Sequence, residues 1–294
     1  MTSYFDILSY DIFKKIIADI DDTKTRLILR TINKRFMMNT QIYKITKEEC
    51  SLVDKNNIKL FKNLRHYEIL QYDKSNNGYD DYYIVDDDIC DLIQLEYLDV
   101  YNTDITGKSI KNFINLKHLD MYNIDISDEC LQNLINLEEL KIIYDNENNQ
   151  ITDIGISKLI NLKRLTIYKN NMISDEGIKY LINLKFLGIH HNNNITDGIS
   201  YLSNLEELIL MFCGMITNQS IKNLNKLKRF ILYSNNNISD ESIKNLTSLE
   251  ELEICGNTKI TEKGITNLSN LKNLKVYNGS TKFDIKNGKK IYNI

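Results

Sequence analysis

From Leu95 onward one phrase returns about every 22 residues, a period typical of solenoid arrays. Its clearest copy, LKRLTIYKNNMISDEGIKYLIN, opens at Leu162 and reads Leu-x-x-Leu-x-aliphatic-x-x-Asn, then Ile, then Ser/Thr-Asp, then a short apolar pair. Copies open at Leu95, Leu116, Leu137, Leu162, Leu184, Leu205, Leu227, Leu249 and Leu271, with successive steps of 21, 21, 25, 22, 21, 22, 22 and 22 residues. A unit this short cannot bury its own apolar face. It becomes stable only when stacked on like units, each touching its neighbours.

In the copy at Leu162, alternation along a strand sends Leu162, Leu165 and Ile167 inward and residues 164, 166 and 168 outward. Asn170 then turns inward, where its amide can satisfy backbone groups of the bend. Asn192, Asn235 and Asn257 hold the same position and form a ladder with it, and Cys213 replaces asparagine in one copy. Ser174-Asp175-Glu176 reads as a helix start, with a hydroxyl cap and acids suited to the dipole. Thr152-Asp153, Thr196-Asp197 and Ser239-Asp240-Glu241 repeat it. Ile178 and Leu181 anchor a short helix on the convex side. The carboxylates recur so regularly that capping explains them better than acid–base chemistry. Charges after each opening leucine alternate between copies, as in Glu138-Glu139, Lys163-Arg164, Glu206-Glu207, Lys228-Arg229 and Glu250-Glu251, which supports strand register. The pattern is that of the leucine-rich repeat. The expected fold is an α/β leucine-rich repeat solenoid, a parallel-strand horseshoe with short convex helices, preceded by a small α-helical segment.

The charge balance narrows the partners. The net charge is −3 with 26% charged residues of both signs interspersed, which argues against nucleic acid or an anionic membrane. The five cysteines, at 50, 90, 130, 213 and 255, are odd in number and contain no CxxC pair, as expected in a reducing compartment. No apolar stretch is long enough to span a bilayer, and Asp6 and Asp11 interrupt any signal-peptide core. The expected location is cytoplasmic or nuclear. His66, His118, His190 and His191 show no ligand or triad spacing, and no glycine-rich phosphate loop occurs. The chain reads as a non-enzyme with no catalytic residue, metal or cofactor.

The pattern breaks in three places. The step from Leu64 to Leu95 is 31 residues, and the excess lies in QYDKSNNGYDDYY, residues 71–83. Asp73-x-Ser75-x-Asn77-Gly78 resembles the start of an EF-hand loop, but Ile84 stands where the twelfth-position glutamate is needed, so the segment reads as a surface loop. A smaller insertion, YDNENNQ, lengthens the step after Leu137. After Tyr277 the phrase dissolves, and Phe283, Ile285, Ile291 and Tyr292 are the residues expected to cover the last exposed core edge. The resulting division is 1–40, helical; 41–94, degenerate first repeats with a loop insertion; 95–277, repeats; 278–294, cap.

Residues 4–37 lie outside the repeat. Ser9 can cap a helix with Ile12, Phe13, Ile16, Ile17 and Ile20 on its apolar face, and a second helix carries Leu27, Ile28, Leu29 and Ile32. The stretch ILSYDIFKKIIADIDDTKTRLILRTINKRF resembles the F-box. Leu8, Asp11 and Ile12 match that motif's opening, Ile16, Ile17 and Ile20 its middle, and Leu29, Ile32, Asn33, Lys34, Arg35 and Phe36 its close. Ser9 stands at the family's proline, in a chain with no proline. The architecture is similar to that of F-box leucine-rich repeat proteins, substrate receptors of SCF-type ubiquitin ligases. The resemblance implies that Leu8, Ile12, Ile16, Ile20, Leu29 and Phe36 dock a cullin-complex adaptor while the repeats hold a protein substrate. The alternative is a free-standing repeat module that binds a partner without a ligase role.

Outward strand positions locate a candidate partner surface. They are polar or mixed in the early copies: Tyr97, Asp99 and Tyr101, then His118, Asp120 and Tyr122. They turn apolar in the middle: Phe186, Gly188 and His190, then Ile209 and Met211, then Ile231 and Tyr233, with Tyr168 alongside. Solvent-facing strand positions have no structural need for such residues, which are enriched at interfaces. Tyr168, Phe186, His190, Ile209, Met211, Ile231 and Tyr233 are the expected concave binding face, rimmed by Arg164, Glu207 and Arg229.

Overall fold

The computed structural model describes residues 44–45, 58, 61, 63–70, 84–101, 103–144, 150–278, 281–286 and 289–292, with only the backbone at 70, 278, 281–286 and 289–292. The F-box-like residues Leu8 to Phe36 and the loop at 71–83 lie outside the described residues. The chain divides into two compact units, Met1–Ile124 and Asp125–Ile294.

In the first unit, strands β1 (Lys44–Ile45), β2 (His66–Leu70), β3 (Tyr97–Tyr101) and β4 (His118–Tyr122) pair in parallel, in chain order. In the second, β5 (Glu139–Ile143), β6 (Arg164–Tyr168), β7 (Phe186–His190), β8 (Glu207–Met211), β9 (Arg229–Tyr233), β10 (Glu251–Cys255) and β11 (Asn273–Asn278) do the same. The ladder then reverses: β12 (Thr281–Lys286) and β13 (Lys289–Tyr292) run antiparallel to their neighbours. The repeat thus ends in a hairpin, where the sequence phrase dissolves.

The inward positions behave as the period dictates. Leu162, Leu165 and Ile167, and their equivalents from Leu95 to Leu252, are 0–1% exposed. The asparagine ladder is also present. Asn170, Asn192, Asn235 and Asn257 are buried. Asn192 Nδ2 donates to the carbonyls of Asn170 and Ile173, while its Oδ1 accepts from the backbone N–H groups of Asn194 at 2.9 Å and Ile195 at 2.8 Å. A buried backbone group without a partner costs about 1–3 kcal/mol, which is why this corner calls for an amide. In the copy that lacks one, Cys213 Sγ donates to Ile189 O at 3.4 Å.

The helix starts correct one expectation. Thr152, Ser174 and Ser239 do cap four-residue helices, accepting from Ile154, Glu176 and Glu241 N–H. Thr196 does not: Asp197–Tyr201 is a 3₁₀ helix without a side-chain cap. This copy has one residue fewer between its aspartate and glycine, and a 3₁₀ turn spans more length per residue.

The aspartates do more than complement a dipole: they join successive copies. Asp153 accepts from Ser174 N at 2.7 Å and Ser174 Oγ at 2.6 Å, 21 residues on. Asp128 holds Thr152, Asp175 holds Thr196 and Asp240 holds Thr261 in the same way. The glycine two residues into each of these helices, in Asp153-Ile-Gly155, Asp175-Glu-Gly177 and Glu262-Lys-Gly264, then faces the aspartate of the preceding copy. A Cβ at Gly155, Gly177 or Gly264 would lie 2.3–2.5 Å from that carboxylate oxygen. Where serine replaces glycine, its hydroxyl bonds the same acceptor: Ser109 to Asp86 at 2.5 Å and Ser220 to Asp197 at 2.9 Å.

Candidate partner-binding face

Parallel pairing in the second unit aligns its outward side chains into rows across strands. Arg164, Phe186, Glu207, Arg229 and Glu251 form one row. Thr166, Gly188, Ile209 and Ile231 form the next, and Tyr168, His190, Met211 and Tyr233 the third. All seven residues expected on the face therefore lie side by side on β6 to β9. Six are partly accessible, and Ile231 is 8% exposed beneath its neighbours.

The first row is tied by charge and stacking. The Arg164 guanidinium lies over the Phe186 ring, 3.9 Å from its centroid, and its Nε is 3.4 Å from Glu139. Arg229 bridges Glu207 and Glu251, the latter at 3.2 Å. The Phe186 ring lies beside Gly188, 3.4 Å from where a Cβ would stand, an ordinary van der Waals distance. At the other end Tyr233 donates its hydroxyl to Glu253. That bond to a carboxylate, with partial burial, pushes the phenol up to about 12. His190 is held below the ordinary imidazole value by burial, with adjacent His191 adding to the effect. At neutral pH it offers a neutral ring.

The face continues around the strand ends through two residues the sequence pattern did not flag. The residue after each of these strands adopts a left-handed conformation: φ is 54° at Lys169, 52° at His191, 56° at Phe212 and 54° at Ser234. Gly256 does so in the next copy with φ 66°. Glycine and asparagine suit this conformation and a large aromatic resists it. Phe212 is nevertheless 49% exposed, stacked on His191 at 4.5 Å between centroids. Tyr168 meets His190 at 5.7 Å and His191 at 5.8 Å. The available signal was a bulky aromatic directly before a ladder position.

Among the described residues, no group of three or more His, Cys, Asp or Glu side chains is placed to hold a metal ion. No helix among the described residues is long and apolar enough to cross a membrane. The geometry offers an apolar, aromatic sheet face with internally neutralised charges.

Solved structures share the fold. A leucine-rich repeat protein of Leptospira interrogans superposes with a TM-score of 0.56 at 24% identity, covering 75% of this chain and 56% of that one. TLR13, solved as a complex with ssRNA13, superposes with a TM-score of 0.60 at 21% identity, covering 81% of this chain and 36% of that one. The fold is a leucine-rich repeat solenoid. This chain spans little over half of the first protein and little over a third of the second. No protein-family model matches the sequence, and no curated protein matches it. At these identities the likeness establishes the leucine-rich repeat fold alone.

Proposed function

We propose that the chain is a protein-binding module, and more specifically the substrate receptor of an SCF-type ubiquitin ligase. The observation that carries the binding role is the apolar row set on β6 to β9. Phe186, Ile209, Met211 and Tyr233 stand on the solvent side of a sheet whose other side already holds the core. Exposed aromatic and methionine side chains in one patch have the composition of an interface core. A nucleic-acid partner such as TLR13 carries would favour unpaired basic groups, whereas Arg164 and Arg229 are each paired with glutamate here. The ligase role rests on the F-box resemblance of residues 8–36. In that reading Leu8, Ile12, Ile16, Ile20, Leu29 and Phe36 enter the cullin adaptor, and the solenoid presents the substrate from the cytoplasm or nucleus.

Two double variants separate these roles in affinity purification from cells. Ile12→Asp with Ile16→Asp places charges in the adaptor contact, costing several kcal/mol if buried, and should remove the adaptor while leaving the substrate. Phe186→Ala with Met211→Ala should remove the substrate and leave the adaptor. Wild-type protein that recovers no cullin adaptor would overturn the ligase role in favour of a free-standing module. Unchanged substrate recovery by the face variant would move the binding surface elsewhere.

A further inference from the structure

The apolar field on β6 to β9 is bounded on three sides. Its middle row runs into Lys141 on β5 and Glu253 on β10. The turns before its first row carry the ion-paired Lys185, Glu206 and Lys228. Four strands at about 4.8 Å and three rows at about 6.6 Å make roughly 400 Å². A stable pair of folded proteins needs about 800 Å² from each partner. The field is therefore too small for a second copy of this chain laid face to face, and its size is that of one short segment.

Two properties of the field select the conformation of that segment. The first is its hydrogen-bonding capacity. Arg164 pairs with Glu139, Arg229 with Glu207 and Glu251, and Tyr233 with Glu253. The polar side chains left on the field are few: Thr166, Tyr168 and His190. An extended segment crossing it would bring about six residues, with one N–H and one C=O each, onto a surface that cannot pair most of them. Each buried group left unpaired opposes binding. A helix closes its own backbone bonds and asks nothing of the face. The second property is spacing. From β6 to β9 is three steps, or about 14 Å. Three helical turns advance about 16 Å, whereas three same-face repeats of an extended chain advance about 20 Å. A helix laid across the strands keeps one side chain over each, with a diagonal tilt absorbing the small excess. An extended chain falls out of step by more than a strand. Tyr168, His190, Met211 and Tyr233 offer one contact per strand, with Ile209 and Ile231 as a shelf beside them.

We propose that the segment this face takes is an amphipathic α-helix of a partner protein, about twelve residues long, with apolar side chains at i, i+3 or i+4, and i+7. The proposal rests on the binding role proposed above and names the chemistry of what is bound. Met211 suits such an occupant, because an unbranched thioether adapts to either an aliphatic or an aromatic side chain.

The test presents two libraries of displayed dodecapeptides to the full-length chain. In the helical library, a host of alanine, glutamate and lysine carries leucine, isoleucine, methionine, phenylalanine or tyrosine along one helical stripe. In the extended library the same apolar residues alternate with polar ones around a central proline, which bars a helix. Wild type should enrich the helical library and not the extended one. A fluorescein-labelled peptide from it should bind in anisotropy and gain helical circular dichroism on binding. Proline at one solvent-facing position in mid-peptide, with every apolar residue kept, should weaken binding by about tenfold or more, and alanine there should not. Phe186→Ala with Met211→Ala should weaken it by about tenfold or more. Ile209→Lys, a single change at a partly exposed position, decides the matter if the double variant does not fold. Tyr180→Ala with Tyr201→Ala, exposed beside the short helices, should bind as wild type does. No helical binder, preference for the extended library, full affinity with the mid-peptide proline, or full affinity in a folded face variant would each overturn the proposal. Preference for the extended library with loss in the face variants removes the helix and keeps the binding role. Peptides indifferent to the face variants remove both.

Discussion

Replacing Gly155 by alanine tests the joint between copies. Helix propensity alone says the change should stabilise by about 1 kcal/mol. The structure says otherwise. The new methyl would stand 2.3 Å from Asp128 Oδ1, inside any tolerable contact, and 3.2 Å from Asp128 Cα, a tight one. The carboxylate must leave, and with it go the bonds from Thr152 N at 2.8 Å and Thr152 Oγ1 at 2.6 Å. Each bond to a charged acceptor contributes about 1.5–3 kcal/mol, taken here at the low end because the site is only partly buried. Two of them, less the propensity gain, leave a loss of roughly 2 kcal/mol. In thermal unfolding followed by circular dichroism this corresponds to a Tm lower by roughly 4–8 °C. Asp128→Ala supplies the control. With the carboxylate gone, Gly155→Ala should revert to neutral or slightly stabilising, a coupling of about 2–3 kcal/mol in the double-mutant cycle. Gly155→Ser should be milder than alanine, because a serine at this position in another copy reaches the preceding acid at 2.9 Å. If Gly155→Ala costs as much without Asp128 as with it, the inter-copy contact is not what selects glycine.

Other consequences can be measured in the same way. Asn170→Ala removes an amide that bonds Ile151 O at 3.0 Å, Met172 N at 2.8 Å and Ile173 N at 3.0 Å. It should cost about 3 kcal/mol or more, and an unchanged Tm would contradict the ladder. Cys213→Asn restores the amide in the copy that lacks it and should raise the midpoint of urea unfolding; a lower midpoint would show that this bend has a shape of its own. Burial raises the Asp86 carboxyl, but hydrogen bonds from Ser109 and Thr106 outweigh it and hold it below the ordinary carboxylate range. Its stabilising contribution is present above the unfolded value of about 3.9 and is lost as pH falls through the folded value. Thr106→Val with Ser109→Ala should therefore flatten the acid limb of the stability curve below about pH 4 and leave its shape at pH 7 unchanged.

Most of what depends on spacing within a copy was legible in the chain; the uncapped 3₁₀ turn after Thr196 was the exception. Leu162, Leu165 and Ile167 are buried because alternation and a period near 22 leave them no other place. Asn170 is buried because the bend needs its amide, and Ser174 caps because a helix start needs a hydroxyl. The outward rows on β6 to β9 follow from the same alternation, so the apolar face could be written down by counting. What counting could not supply was the chemistry between copies. Asp153 looks like a dipole acid in its own helix, yet its partners lie 21 residues away in Ser174. Gly177 looks like a weak helix former, yet it faces Asp153 of the preceding copy. The Arg164–Phe186 contact, the left-handed Phe212 stacked on His191, and the His66–Tyr97–His118 ring stack belong to the same class. A strand's period is set by backbone geometry and survives in one dimension. Which side chains meet across strands depends on register, twist and the space each neighbour leaves, and those exist only once the copies are stacked.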